Sequence, residues 1–302
     1  MVVRSSSDVI DLSGTHLPGK TNADVEEVSA SSTAVIEEIP SMIFDTFVNL
    51  ERISFGLHLL RVNLDNCGTR LNQISLGGNE LLFRLQDGAF RGCQSVTILS
   101  VLGSALTQID DHVFDDMPNL TLLFLNNNQI NRIGDLFRFN PLLNTIMLSH
   151  NRITSIHPNA FQGLNNLRMM GLDNNFIEYI ASGTFTNLPS LEDLTLRFNR
   201  VQTIEAGAFG NLPYLSEIRL QTGLMTSLHS NMFATTMPRL TSLSFEDHRI
   251  NSIERDFFEK LVALTTFNLA GANICSNSFF IVVNSIEEDI FPGLETCFAN
   301  SA

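Results

Sequence analysis

No segment of this chain of 302 residues approaches the roughly 18–20 consecutive apolar residues of a membrane span. Phe279-Phe-Ile-Val-Val283 is too short for one and reads as the core of a closing cap. The start, Met1 to Asp8, lacks the apolar run of about 7–15 residues that marks a secretory signal. No Cys-x-x-Cys, His-Glu-x-x-His, glycine-rich phosphate loop or nucleophile elbow occurs, so zinc, phosphate and acyl-transfer chemistry find no anchor. His150 and His157 flank one turn, but no triad can be assembled from the sequence around them. They read as solvated surface, and His248 lacks a partner at metal-ligand spacing. The expectation is no catalysis, no cofactor and no metal.

Basic residues are also scarce, 18 against 32 acids, for a net charge of −14. That balance disfavours nucleic acid, whose binding requires phosphate neutralisation, and anionic membranes. Its simplest consequence is solubility. Tryptophan is absent and tyrosine occurs twice, against 23 phenylalanines.

What is present is a repeat. The apolar pairs Ile74/Leu76, Leu99/Val101, Leu123/Leu125, Ile146/Leu148, Met170/Leu172, Leu194/Leu196, Ile218/Leu220, Leu243/Phe245 and Phe267/Leu269 recur every 23 to 25 residues. Such a register implies a solenoid, in which each coil buries its apolar face only by stacking on its neighbours. Alternation around each pair is strand-like, and the period is too short for a regular helix on the return leg. Successive strands should form one parallel sheet, with irregular or 3₁₀ segments returning.

Asparagine follows the second strand residue by three at Asn79, Asn128, Asn151, Asn175 and Asn199. An amide both donates and accepts, so it can satisfy the buried turn of its own and an adjacent coil. The ladder lapses at Ser104, Gly223, His248 and Ala272, and looser turns are expected at Gly223 and His248. Phe90, Phe114, Phe161, Phe185, Phe209, Phe233 and Phe258 recur on the return leg as a spine. In the short coil after Leu120, where Gly134 to Pro141 replaces the usual turn, Phe137 or Phe139 can fill it.

These residues resemble the leucine-rich repeat family in its 24-residue extracellular subtype, over about residues 50 to 274, most clearly from Leu191 to Leu212. The resemblance implies an α/β-type solenoid, a horseshoe with a curved parallel sheet on its concave face. The Cys-rich N-terminal module and four-Cys C-terminal flank of many secreted relatives are missing. Residues 1–33 read as a Ser-rich, acidic, disordered lead-in and 34–70 as an N-terminal cap with a degenerate first repeat. Residues 71–274 form the solenoid and 275–302 a C-terminal cap.

Cys67 and Cys93 occupy near-equivalent places in adjacent coils, within disulfide reach. Cys275 and Cys297 suit a staple on the C-terminal cap; four buried free thiols are the alternative. Disulfides imply an oxidising compartment, hence an extracellular location, which a mature form or a misassigned start would reconcile with the missing signal. Asn119-Leu-Thr121 is a possible glycosylation site, although a single sequon is no evidence of secretion.

Function should lie on the outward strand positions of the concave face. Ile98, Leu102, Leu122, Phe124, Met147 and Met169 form an apolar stripe, extended by Phe198. Beyond it, Asp193, Arg197, Glu217, Arg219, Glu246 and Asp247 form a mixed-charge zone. An apolar stripe rimmed by charge suits another protein or a second copy of the chain. It could instead be covered by the chain's own N-terminal segment, or have no role. The resemblance implies a non-enzymatic recognition protein, as in innate immunity or adhesion, and the repeats look like those of secreted arthropod leucine-rich proteins. It also admits a non-catalytic subunit of a secreted enzyme, or a matrix component.

Overall fold

The computed structural model describes residues 4–5, 10–11, 20–36, 38–39, 42–271 and 280–282, and the chain divides into two units, Met1–Met147 and Leu148–Ala302. In the first unit, strands β1 (Glu27–Ile36), β2 (Arg52–Leu59), β3 (Gln73–Ser75), β4 (Ile98–Ser100), β5 (Leu122–Phe124) and β6 (Thr145–Met147) pair in that order, all parallel. A short helix, α1 (Met42–Thr46), joins β1 to β2. Strand pairing therefore begins inside the segment read as a lead-in: β1 spans residue 33, where that boundary was drawn.

The second unit repeats the plan with β7 (Met169–Gly171), β8 (Asp193–Thr195), β9 (Glu217–Arg219), β10 (Ser242–Ser244) and β11 (Thr266–Asn268), all parallel. A last strand, β12 (Phe280–Val282), pairs antiparallel with β11. Reversal gives the edge a partner that needs no further coil.

Every strand from β3 to β11 has a buried central residue, and that residue is the first of its apolar pair. All nine pairs are buried. The return legs carry two-residue parallel ladders, such as Arg84–Leu85 with Gln108–Ile109 and Tyr179–Ile180 with Thr203–Ile204. They also carry 3₁₀ turns at Ser230–Met232 and Arg255–Phe258. A 24-residue coil leaves no room for more.

The asparagines are buried and bridge coils. In the first unit, Asn128 Nδ2 donates to Leu125 O (3.0 Å) and Val101 O (2.6 Å), while its Oδ1 accepts from Ser104 N (3.2 Å). Ser104 replaces asparagine in the ladder by accepting from Asn79 N at 3.1 Å. In the second unit, Asn175 Nδ2 donates to Leu172 O and Leu148 O, and Oδ1 accepts from Ile153 N (3.0 Å).

Looser turns at Gly223 and His248 are not what forms. His248 is buried, its Nδ1 accepts from Met225 N (3.3 Å), and its ring packs edge-on to Phe245. A Cβ at residue 223 would collide with that ring, so glycine in one coil makes room for imidazole in the next. Burial lowers the His248 pKa to about 4, opposed only in part by the Leu220 carbonyl and Asp247. The ladder here uses a neutral histidine.

The phenylalanines stack coil upon coil, with centroid separations of 6.4 and 6.0 Å along Phe90, Phe114 and Phe137. Phe137 thus fills the spine of the short coil, and Phe139 is exposed. In the second unit the stack runs Phe161, Phe185, Phe209, Phe233 and then Phe257 (5.9 Å from Phe233), not Phe258. Phe257 and Phe258 both lie in the 3₁₀ turn, and Phe258 packs edge-on against Phe257 and Phe267. Cys67 and Cys93 are joined by a disulfide, Cα atoms 4.8 Å apart. Cys275 and Cys297 lie outside the described residues.

Candidate interaction surfaces

On the sheet face of the first unit, register places Ile98 beside Leu122, and Phe124 beside Met147. These four are half-buried, because long apolar side chains on adjacent strands shield one another. Leu102 lies beyond the end of β4 and is exposed. Five of the apolar candidates thus form one patch on one unit.

Met169 belongs to the second unit, where it is exposed and pairs with exposed Asp193. The mixed charges beyond it are cross-linked rather than loose. Arg197 donates from Nε (3.2 Å) and Nη2 (2.9 Å) to Asp173 Oδ2, and its backbone N–H meets Oδ1 at 2.7 Å. The Asp173 carboxylate holds the Arg197 pKa above its usual value. Arg219 pairs with Glu217, which accepts from Ser242 Oγ (2.8 Å), and Gln221 donates to Glu246 (2.6 Å). Only Asp173 of this set is buried, and sequence reading passed over it. Its clamp fixes the Arg197 guanidinium against the preceding coil.

A second feature was missed. The residue before each ladder position has positive φ: Gly78, Gly103 and Asn127 in the first unit, then His150, Asn174, Phe198, Thr222, Asp247 and Gly271. Gly, Asn and Asp take this left-handed conformation readily, and their recurrence was the available signal. Phe198 (φ 57°) and Thr222 (φ 61°) do not. Each costs on the order of 1 kcal/mol, and Phe198 is half exposed, so its ring recovers little of that by packing.

The remaining candidates are dispersed. Asn119 is exposed and its amide donates to Gln94 O (2.8 Å). The structure also brings together a relay at residues that sequence reading did not single out. Ser227 Oγ lies 2.8 Å from His229 Nε2, and His229 Nδ1 lies 2.8 Å from Glu254 Oε1. The order matches a nucleophile, base and orienter. Here, however, the imidazole is half exposed, and Glu254 also accepts from Ser230 N and Oγ. The relay ties one coil to the next. Among the described residues, no group of three or more His, Cys, Asp or Glu is placed to hold a metal ion, and no helix is long and apolar enough to cross a membrane.

No curated protein matches the sequence. Among solved structures, the chain superposes on a chain of the octameric complex of Latrophilin 3, Unc5D and FLRT2 (LRR) with TM-score 0.68 and 17% identity, covering 86% of this chain and 78% of that one. Against the TLR13–ssRNA13 complex the TM-score is 0.59 at 20% identity, with coverage of 82% and 39%. Against the Drosophila Toll–Spatzle complex it is 0.57 at 21%, with coverage of 77% and 36%. The chain spans well under half the length of these last two. At such identities the likeness is one of fold. The leucine rich repeat pattern matches residues 69–130, 133–177 and 167–223, together just over half the sequence. With its parallel strands, asparagine ladder and phenylalanine spine, the chain belongs to the leucine-rich repeat family.

Proposed function

We propose that this chain is a non-enzymatic, extracellular recognition protein that binds another protein across the sheet face. The observation that carries this reading is the two cross-strand apolar pairs Ile98–Leu122 and Phe124–Met147 on one sheet face, with Leu102 exposed beyond the end of β4. Apolar side chains at outward strand positions serve no core, and a protein partner would desolvate them at roughly 25 cal/mol per Å². Methionine at Met147 and Met169 suits adaptable contacts. The Cys67–Cys93 disulfide supports an oxidising compartment. The solved complexes of FLRT2 with Latrophilin 3 and Unc5D, and of Toll with Spatzle, support a role in adhesion or innate immunity. TLR13 was solved with RNA; the net charge of −14 argues against that ligand class for this chain.

The test is the double variant Phe124→Asp/Met147→Asp. Both side chains point outward, so circular dichroism and melting should stay near wild type while partner capture falls at least tenfold. Sedimentation separates the two forms of the reading. A wild-type dimer that the variant abolishes makes the partner a second copy, and a monomer throughout makes it another protein. Capture that survives in a folded double variant rejects this face.

A further inference from the structure

In the second unit, the residues directly after the ladder position are Arg152, Phe176, Arg200, Leu224 and Arg249, one per coil. The backbone makes them neighbours. Phe176 N donates to Ile153 O (2.9 Å), Arg200 N to Ile177 O (3.0 Å), Leu224 N to Val201 O (2.8 Å) and Arg249 N to Met225 O (2.9 Å). Cation and apolar group thus alternate along one edge of the sheet. The three arginines and Leu224 are exposed, and the Arg200 guanidinium lies 4.3 Å above the Phe176 ring.

Several arginines of this acid-rich chain are neutralised, among them Arg84 by Asp110, Arg132 by Asp111, Arg168 by Glu192 and Arg197 by Asp173. None of Arg152, Arg200 and Arg249 meets a carboxylate among the described residues. Beside this row, Phe198 and Thr222 hold the left-handed conformation that disfavours them, with the Phe198 ring half exposed. Unpaired arginine, exposed aromatic and local strain coincide on adjacent coils.

We propose that this edge docks an extended acidic segment of a partner protein, a surface separate from the sheet face. Coils are spaced about 4.8 Å apart, so the arginines recur about every 9.6 Å. A polyproline-II segment advances about 9.3 Å in three residues and returns the same face. Its carboxylates at every third position then meet Arg152, Arg200 and Arg249, and the residues between them meet Phe176, Leu224 and Phe198. Such a partner supplies the charge the edge lacks. A continuous phosphate backbone fits less well, because Glu178 and Asp247 border the row and the whole chain is strongly acidic.

The experiment uses a fluorescein-labelled peptide, Glu-Leu-Pro-Glu-Leu-Pro-Glu, and fluorescence anisotropy with the full chain. Binding should be at least tenfold tighter than for a peptide of the same composition with its three glutamates adjacent, and should weaken with salt. The triple variant Arg152→Ala/Arg200→Ala/Arg249→Ala should lose at least tenfold affinity with an unchanged melting temperature. Phe124→Asp/Met147→Asp should bind the peptide like wild type, which keeps this claim separate from the sheet-face reading. Equal binding of the shuffled peptide, undiminished binding by the folded triple variant, or tighter binding of a twelve-nucleotide uridine RNA each overturns the proposal.

Discussion

Asn175 shows what a single side chain does in this fold. Its amide serves two carbonyls and one backbone N–H, spread over its own coil and the one before it. Alanine would leave those groups buried without water, so Asn175→Ala should destabilise the protein by about 1–3 kcal/mol, read by urea unfolding. A negligible change would remove the ladder from the account. His248 makes a second prediction, on pH. Its folded pKa of about 4 lies below the ordinary 6.5. Between those values the unfolded chain binds a proton that the native state refuses, so stability is intact above pH 6.5 and falls as pH drops towards 4. The loss is on the order of 3 kcal/mol. His248→Asn keeps a ladder residue beside Gly223 and should abolish that slope. The wild-type-minus-variant difference isolates it from carboxylates titrating nearby, and a flat difference contradicts the buried neutral histidine. The asparagines were legible because five sit at one offset from the strand. The packing of His248 was not, because the space for its ring comes from a missing Cβ on a neighbouring coil.

At the scale of elements, the apolar pairs located all of β3 to β11, since each coil contributes one strand to the main sheet. The same periodicity placed the phenylalanine spine, but counting the offset from the strand misjudged its last rung, which is Phe257 and not Phe258. Outside the repeat, β1 has no partner pattern in the sequence, and its pairing with β2 emerges only in three dimensions. The left-handed row before the ladder was visible in Gly, Asn and Asp but disguised by Phe198 and Thr222. The Cys67–Cys93 disulfide staples residues 26 apart in the chain. Cys67→Ser/Cys93→Ser should cost about 3 kcal/mol by chain entropy, read as a lower unfolding midpoint. Native-state hydrogen exchange should place the loss in the first unit. A uniform loss over both units, or none, would count against its role as a local staple.

For the molecule, repetition explains why architecture was plain and ligand was not. Buried positions obey one rule in every coil, whereas the outward positions are free to differ, and binding resides in those differences. Ile98, Leu122, Phe124 and Met147 could be placed on one face from strand alternation alone. The clamp of Asp173 on Arg197 could not, because it joins residues 24 apart that alternation treats as independent. The central claim is that the apolar cross-strand pairs of the first unit carry partner binding. The most direct test is quantitative capture from native extracellular fluid by wild type and by Phe124→Asp/Met147→Asp, with folding of both verified. The account predicts one partner set enriched by wild type and reduced at least tenfold by the double variant. Equal recovery by the two proteins would contradict it.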